Sequence, residues 1–267
     1  MSDNQPDWGA IAQGFDLWLP HLAPVTDTLV DHLAPEPGSY VLDVAAGTGE
    51  PALTLARNLG GGQVLAIDAA KGMIDVAAAK AAEAGLANLA FELMPAEAMT
   101  FADDTFDRVV CRFGVMLFTD PIKGLAEIWR VLKPGGRFAL AVWGDPDQLS
   151  SFKFFAEVLD PLMPEGNKTA MSAAASLGPD GALEAALEAA GFQGFSVTRH
   201  QLDYNFPDFD SYWALMEGSG ILAQQFAALS PAQLASVRDE VAHRAAAYQR
   251  QGRLILPHAY LVASGTR

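Results

Sequence analysis

The feature that most constrains the fold is the stretch 41–59, in which two glycines separate an apolar run from a helical pattern. The apolar run suits a buried parallel strand; its residues are Tyr40, Val41, Leu42 and Val44. Gly47 and Gly49 then permit a tight turn and a close approach of the backbone to a ligand. Pro51 lies near the first helical turn, where its missing N–H costs nothing, and apolar residues recur at helical spacing at Leu53, Ala56 and Leu59. The stretch therefore predicts a strand, a glycine turn and a helix that bind a cofactor.

Asp43 in the strand discriminates among the nucleotide-like cofactors that such a turn can bind. In a dinucleotide site the pyrophosphate rests on the helix N-terminus, and an acidic side chain close to it would repel the phosphates. A cofactor with no phosphate groups and a cationic amino-acid tail tolerates the carboxylate, and S-adenosylmethionine (SAM) is such a cofactor. The alternative is that Asp43 only accepts hydrogen bonds from backbone donors of the glycine-rich loop, as in an Asx-turn.

Composition limits the class of partner. The 267 residues include 17 Lys and Arg against 32 Asp and Glu, so the formal net charge is -15. This disfavours a nucleic-acid substrate, because binding a polyanion depends on clustered basic side chains, and no such cluster is seen. No apolar run approaches the roughly 20 residues that span a bilayer. A single cysteine, Cys111, rules out an intrachain disulfide, and the N-terminus lacks the features of a secretory signal, so we expect a cytoplasmic location.

An acidic residue ends the second predicted strand. Asp68 closes the strand 64–68, about 20 residues beyond the glycine turn, where an α/β nucleotide fold accepts hydrogen bonds from a ribose diol. The alternative role is an N-cap for the helix predicted over 71–84, and one carboxylate can contribute to both. Met73 on that helix is expected beside an adenine or in the core.

Further strands are predicted over 89–94, 108–113 and 137–143, with a helix over 121–132. Ligands in open α/β sheets bind outside the carboxyl ends of the strands. Four residues that follow strands are therefore predicted to point toward the same crevice as Gly47 and Asp68: Ala96, Glu97, Arg112 and Phe113.

The segments outside these units are rich in apolar and aromatic residues. Residues 1–38 carry Trp8, Phe15 and Trp18, and are expected either to form a flap over the cofactor or to pack as a helix on the sheet. After residue 145, helices are predicted over 149–178, 181–190, 210–227 and 231–249, and strands over 195–206 and 254–264. The inserted helices are predicted either to pack against the sheet edge or to build an apolar pocket with Trp213, Met216 and Phe226.

Four motifs in order resemble the class I SAM-dependent methyltransferases. They are 43–49 (Asp-Val-Ala-Ala-Gly-Thr-Gly), Asp68, Ala96 with Glu97 ahead of 104–107, and 130–136 (Arg-Val-Leu-Lys-Pro-Gly-Gly). The likeness covers about residues 15–143 and is greatest to the branch that includes ubiquinone and menaquinone biosynthesis C-methyltransferases and many small-molecule methyltransferases. It implies an α/β Rossmann-like fold with a seven-stranded sheet, mostly parallel with an antiparallel last strand, and helical insertions that form a cap.

The resemblance also implies which residues bind SAM and its product S-adenosylhomocysteine. These are Asp43, Ala45, Gly47, Gly49, Asp68, Ala69, Met73, Ala96, Glu97 and Arg112. Many relatives carry an Asp that meets the adenine amino group where this chain has Pro95. Adenine recognition is then expected from Glu97 or from backbone groups.

The sequence thus predicts a SAM-dependent methyltransferase for a small apolar or aromatic acceptor, in one domain over 1–267. Its predicted parts are an N-terminal helical cover (1–38), a SAM-binding core (39–145), and helical insertions with the last strands (146–267). The alternatives are a protein of the same fold that binds SAM without methyl transfer, and an NAD-type oxidoreductase, which Asp43 disfavours. We expect neither nucleic acid nor a membrane span, and a homodimer is compatible with the sequence.

Histidine is the residue type considered for a catalytic base. The five histidines show no spacing typical of metal ligands, so no metal is predicted. His21 lies in the predicted N-terminal cover and is the candidate base, whereas His200, His243 and His258 lie in or beside later elements where a structural role is expected.

Overall fold

The structure, a computed structural model, describes residues 7–164 and 175–267. Its centre is one sheet whose strands run in the order β3-β2-β1-β4-β5-β8-β6. Strands β1 to β5 are parallel, and β8 is antiparallel to both β5 and β6. The strands are β1 Tyr40–Val44, β2 Gln63–Asp68, β3 Leu89–Leu93, β4 Phe106–Arg112, β5 Leu132–Trp143, β6 Ser196–Phe206, β7 Gln249–Arg250 and β8 Arg253–Thr266. The predicted fold class is confirmed.

One strand was not predicted. The sequence predicted a helix through residue 249, but the helix ends at Ala245 and a short 3-10 turn leads into β7, which pairs with β8. Gln251 and Gly252 join the two strands with φ values of 50° and 76°. Positive φ at both central residues is the geometry of a tight hairpin turn. The described sheet therefore has eight strands, of which the two-residue β7 lies off the main path.

Helices pack against the sheet through buried positions that recur at helical spacing. In α2, for example, Leu22, Val25, Leu29 and Leu33 are buried. The α-helices of the described residues are α1 Trp8–Phe15, α2 Leu19–Leu33, α3 Ala52–Asn58, α4 Lys71–Glu83, α5 Pro121–Val131, α6 Ser150–Leu159, α7 Ala182–Ala189, α8 Phe209–Ser219, α9 Ala223–Ala227 and α10 Pro231–Ala245. None of them is both long enough and apolar enough to cross a membrane.

The first helix, α1, packs closely on α4 through a pair of glycines. A Cβ added at Gly72 would lie 2.3 Å from the carbonyl oxygen of Gly9, a distance that real Cβ atoms do not reach. The two backbones can approach this closely because neither residue has a side chain. This contact holds α1 over the carboxyl ends of β1 and β2.

Candidate cofactor and acceptor site

A cavity of about 650 Å³ lies at the carboxyl ends of the parallel strands. Its cofactor half, as we define it, is lined by residues at the ends of β1 to β4 and on the adjoining turns: Ala45, Gly47, Glu50, Asp68, Ala69, Met73, Ala96, Glu97 and Arg112. Its acceptor half is lined by Met116 and Trp143, at or near the ends of β4 and β5, and by residues from more distant parts of the chain: Trp18, Leu22, Ser151, Phe152, Tyr204, Met216 and Leu222. The two halves form one continuous space.

The glycine turn after β1 shapes the cofactor half through backbone geometry. Ala45, Gly47 and Gly49 have φ values of 57°, 55° and 109°. A Cβ on Gly47 would have only Phe15, 4.0 Å away, as a neighbour, so this backbone faces open space where a ligand can approach. Gly114 lies against the turn from the far side, and a Cβ there would be 2.5 Å from that of Ala45. Gly114 was not singled out in the sequence.

Asp68 lies where β2 ends and lines the cavity, as predicted. Its carboxylate accepts hydrogen bonds from the backbone N–H of Gly47 at 2.9 Å and of Ala70 at 2.8 Å. Burial raises the pKa of Asp68, while these backbone donors oppose the shift. Asp68 thus holds the glycine turn and the start of α4 together, and the ribose contact stays a prediction.

Asp43 lies beneath the glycine turn and not on the cavity wall. It is fully buried, and its Oδ2 accepts a hydrogen bond from the Ala52 N–H at 2.9 Å. Burial raises the pKa of Asp43 to about 8, against the opposing charge of Arg112. Gly49 is likewise absent from the wall, since it packs on Leu53 and Ala77. Sequence reasoning expected both residues to bind the cofactor. Neither lies on the cavity wall, and their role at the cofactor stays a prediction.

Arg112 brings a nearly buried guanidinium to the wall. The residue is 9% exposed, and its Nη1 donates a hydrogen bond to Thr26 Oγ1 at 2.9 Å. Burial lowers the pKa of Arg112, and the nearby Asp43 and Glu50 oppose this shift. Glu97, also on the wall, accepts a hydrogen bond from the Thr119 N–H at 2.7 Å.

The cofactor half fits SAM. Glu50 and Asp68 place two carboxyl groups on the wall, and Asp43 Oδ1, buried behind the glycine turn, has no hydrogen-bond partner among the described residues. The wall carboxylates favour a cationic group and disfavour phosphates, whereas the raised pKa of Asp43 keeps it protonated near pH 7. The described part of the chain contains no group of three or more His, Cys, Asp or Glu side chains that could hold a metal ion.

The acceptor half is apolar apart from Ser151, and four of its nine wall residues are aromatic. Trp143 stacks on Phe113 with ring centroids 3.9 Å apart and meets Phe152 edge-on at 5.4 Å. Met216 was predicted here and lines the cavity. The predicted Trp213 and Phe226 do not line it, because they stack on each other at 5.4 Å behind the wall.

Tyr204 on β6 is a wall residue that sequence reasoning missed. Leu202, Tyr204 and Phe206 are buried while the residues between them are exposed, an alternation already visible in the sequence. Burial raises the pKa of Tyr204, so its hydroxyl stays protonated.

The predicted N-terminal cover is partly visible. Trp8, Ile11 and Phe15 of α1 line the cavity. Residues 1–6 of that segment, and 165–174 of the predicted helix 149–178, lie outside the described residues. Whether the cover moves stays a prediction.

His21, the candidate base, does not line the cavity. Its ring packs 4.6 Å from that of Phe206 and 5.9 Å from that of Tyr204. Burial lowers the pKa of His21. It lies behind the aromatic wall, and its catalytic role stays a prediction.

Comparison with known proteins agrees with this geometry. The methyltransferase domain family matches residues 41–136. This stretch of the chain is therefore similar to a methyltransferase domain. The ubiquinone/menaquinone biosynthesis C-methyltransferase UbiE of Marinomonas sp. (strain MWYL1) is 41% identical over 112 residues, which is 41% of this chain and 45% of that protein. The predicted resemblance is confirmed, and the chain spans about half the length of the curated relatives it matches.

Two solved structures share the fold of the methyltransferase domain over most of the chain. The YcgJ protein of Bacillus subtilis has a TM-score of 0.60 at 21% identity and covers 92% of this chain and 97% of its own. A phosphoethanolamine N-methyltransferase of Haemonchus contortus, solved with S-adenosylhomocysteine, has a TM-score of 0.61 at 17% identity and covers 96% and 57%. At identities of 21% and 17%, these two structures support a shared fold and no more.

Proposed function

We propose that this protein is a SAM-dependent methyltransferase acting on a small apolar or aromatic acceptor. The observation that carries the proposal is the single cavity that joins the glycine turn and Asp68 to an uncharged, aromatic compartment. Its volume of about 650 Å³ falls within the range of roughly 300–1,000 Å³ typical of small-molecule sites. A cofactor and an acceptor can meet there without crossing solvent.

The residues of the chain bind, align and shield the reactants. When bound, SAM supplies an electrophilic methyl group. Asp68 and the Gly47 backbone hold the cofactor end, and α1 excludes water above it. Alignment of two reactants can lower a barrier by about 7–11 kcal/mol, so proximity is expected to supply most of the catalysis.

The identity of the methyl acceptor cannot be inferred from the relatives. The family match covers residues 41–136. Of the residues that line the acceptor half, only Met116 lies within this range. A quinone-type acceptor, suggested by the names of the relatives, is therefore one candidate among aromatic compounds.

Calorimetry with S-adenosylhomocysteine and with NAD tests the cofactor, and mass spectrometry of an acceptor incubated with SAM tests the transfer. We expect binding of S-adenosylhomocysteine, no binding of NAD, and a gain of one methyl group. Tight NAD binding would contradict the proposal. Cofactor binding with no methylated product from any aromatic acceptor would favour the alternative, a protein that binds SAM without transferring its methyl group.

The proposal includes the predicted domain organisation and location. The chain forms one domain over 1–267, with the N-terminal cover, core and insertions given above, and the protein acts in the cytoplasm. A homodimer is tested by sedimentation velocity, and the location by fractionation of the producing cells.

A further inference from the structure

Ser151 and His258 form a hydrogen-bonded pair at the acceptor half that the cofactor chemistry does not use. Ser151 Oγ lies 2.6 Å from His258 Nε2. Ser151 belongs to the first turn of α6, and His258 lies on β8 next to Leu149, with which it forms an isolated bridge. The two side chains therefore come from elements 107 residues apart.

The tautomer of His258 is fixed by its second ring nitrogen. His258 Nδ1 lies 3.0 Å from the carbonyl oxygen of Leu256, which only accepts hydrogen bonds. Nδ1 therefore carries the ring proton and donates a hydrogen bond to the Leu256 carbonyl oxygen. This leaves Nε2 as a hydrogen-bond acceptor. Burial lowers the pKa of His258 to about 4, so the neutral ring is the form present near pH 7.

This arrangement determines how Ser151 can act. Because Nε2 is an acceptor, the Ser151 hydroxyl donates its hydrogen bond to this nitrogen. The Ser151 backbone N–H also points to Nε2, at a distance of 3.3 Å. Ser151 Oγ is left with lone pairs and no proton to donate elsewhere. The buried Tyr212 hydroxyl also interacts with the Ser151 side chain. Tyr212 can therefore take one of the two Oγ lone pairs, which leaves the other for a ligand.

Ser151 is also the link between His258 and the cavity. His258 is fully buried and lies behind three aromatic wall residues, with ring centroids 4.2 Å from Tyr204, 5.7 Å from Phe152 and 6.0 Å from Trp143. Ser151 lines the cavity together with these three aromatic residues, and His258 does not. A fixed hydrogen-bond acceptor thus stands in an otherwise apolar, aromatic wall.

We propose that Ser151, oriented by His258, accepts a hydrogen bond from a hydroxyl group on an aromatic methyl acceptor. The aromatic residues of the wall contact the ring by stacking and edge contacts, and Ser151 Oγ accepts the hydrogen bond from the hydroxyl group. Ser151 is a binding residue in this assignment, and His258 is a positioning residue that acts through it. The assignment rests on the proposed function only in naming the ligand as the methyl acceptor.

The test compares 2-naphthol with naphthalene, which have the same ring system and differ by the hydroxyl group. A net hydrogen bond contributes about 0.5–1.5 kcal/mol, so the wild-type protein should bind 2-naphthol roughly two- to tenfold more tightly than naphthalene. In Ser151→Ala this ratio should fall to one or below, because the hydroxyl group then enters the cavity without a hydrogen-bond partner. Because the ratio cancels changes in cavity shape, a packing defect alone would not move it.

Ser150→Ala is the matched control. Ser150 is the adjacent buried serine, its Oγ donates to the Pro257 carbonyl at 2.8 Å, and it does not line the cavity. The wild-type ratio should persist in this variant. The proposal is overturned if the ratio survives Ser151→Ala, if the wild-type protein shows no preference, or if neither probe binds up to its solubility limit.

Two further measurements complete the test. Nitrogen-15 NMR of the His258 ring should show a protonated Nδ1 and an unprotonated Nε2, and the reverse tautomer would overturn the proposal. Binding of S-adenosylhomocysteine is measured on the same variants, with the naphthol ratio determined with and without it. If the wild-type protein fails to bind S-adenosylhomocysteine, the proposed function is overturned. If it binds S-adenosylhomocysteine but shows no preference for 2-naphthol, only the role of Ser151 is overturned.

Discussion

The cofactor half of the cavity is built from the ends of neighbouring strands, whereas the acceptor half collects residues from distant parts of the chain. Asp68 ends β2 and Arg112 ends β4, each directly beside β1 or one of its turns. By contrast, Trp18, Ser151 and Tyr204 come from the N-terminal region, α6 and β6. The first half is set by local turns at one sheet edge, and the second by how separate elements pack.

The halves also differ in charge. Glu50, Asp68, Glu97 and Arg112 line the cofactor half, while the acceptor half contains no ionised side chain among its wall residues. Charged groups in a partly buried site discriminate between cationic and anionic ligands, whereas an apolar wall selects mainly by shape. Substitutions should therefore affect the two halves separately, and the predictions below test that separation.

The largest effect is expected at Asp68. Asp68→Ala removes the carboxylate that holds the Gly47 and Ala70 N–H groups and faces the cavity. Hydrogen bonds to a charged group contribute about 1.5–3 kcal/mol each, so calorimetry should show SAM and S-adenosylhomocysteine binding weaker by roughly tenfold or more. The 2-naphthol to naphthalene ratio should not change.

Asp75→Ala is the control for this variant. Asp75 lies on α4 with an exposed carboxylate paired to Lys71 at 2.6 Å, away from the cavity wall. It should bind the cofactor as the wild-type protein does. Unchanged affinity in Asp68→Ala, or an equal loss in both variants, would contradict the prediction.

The next effect concerns α1, the element that lies over the cofactor half. Gly72→Ala places a Cβ where Gly9 O is only 2.3 Å away, and overpacking of this kind costs about 1–3 kcal/mol. The strain is relieved if α1 leaves α4. We expect faster hydrogen exchange over residues 8–15 and a smaller loss of cofactor affinity than in Asp68→Ala.

Gly60→Ala is the matched control, because a Cβ at Gly60 would meet no atom within 4 Å. Its exchange should match that of the wild-type protein. In the wild-type protein, S-adenosylhomocysteine should slow exchange over residues 8–15 if α1 acts as a mobile cover. Unchanged protection with and without the ligand would show that α1 is a fixed part of the wall.

The same difference between halves explains what the sequence could predict. Gly47, Asp68 and Arg112 follow apolar runs within a few residues, so a local pattern locates them at one sheet edge. The depth of each side chain was not predictable in this way: Asp43 and Asp68 are both acidic residues of strands, yet only Asp68 reaches the cavity. The register of β1 against β2, with Val44 beside Ile67, decides which carboxylate emerges.

The acceptor half could be predicted only in part, because its residues meet through long-range packing. Trp213 and Met216 lie on the same helix, but Met216 faces the cavity and Trp213 stacks on Phe226. Apolar spacing identifies both as buried without saying which one borders a cavity. His258 lay in a predicted strand, and nothing in its neighbourhood in the sequence indicated Ser151 as its partner.

A smaller effect, on the free energy of unfolding per pH unit, is expected from Asp43, which is buried beneath the glycine turn of the cofactor half. In the unfolded chain Asp43 loses its proton near its ordinary pKa of 3.8, whereas in the folded chain burial keeps it until about pH 8. Between these values the folded state binds more protons than the unfolded state. The stability that the neutral carboxyl contributes is therefore fully present below 3.8 and is lost as the pH rises through 8.

Asp43→Asn removes this dependence. The unfolding free energy of this variant, measured by urea denaturation, should increase relative to that of the wild-type protein as the pH rises. The increase should be at most about 1.4 kcal/mol per pH unit. Asp75→Asn, at an exposed position of α4, is the control and should follow the wild-type protein. Parallel profiles for Asp43→Asn and the wild-type protein would contradict the predicted linkage.

The smallest effect is expected at His21, which lies behind the acceptor half. His21→Ala removes ring contacts to Phe206 and Tyr204 but no group on the cavity wall. A positioned general base contributes roughly 10² to 10⁴ in rate, so a packing residue and a base give clearly different outcomes. Turnover, measured as S-adenosylhomocysteine released from SAM with a hydroxylated aromatic acceptor, should fall by less than about tenfold, since alignment supplies most of the rate. A loss of about a hundredfold or more with cofactor affinity intact would instead identify His21 as the base. That result would require the ring to turn into the cavity when the acceptor binds, and the wall of the acceptor half would then be rearranged by its ligand.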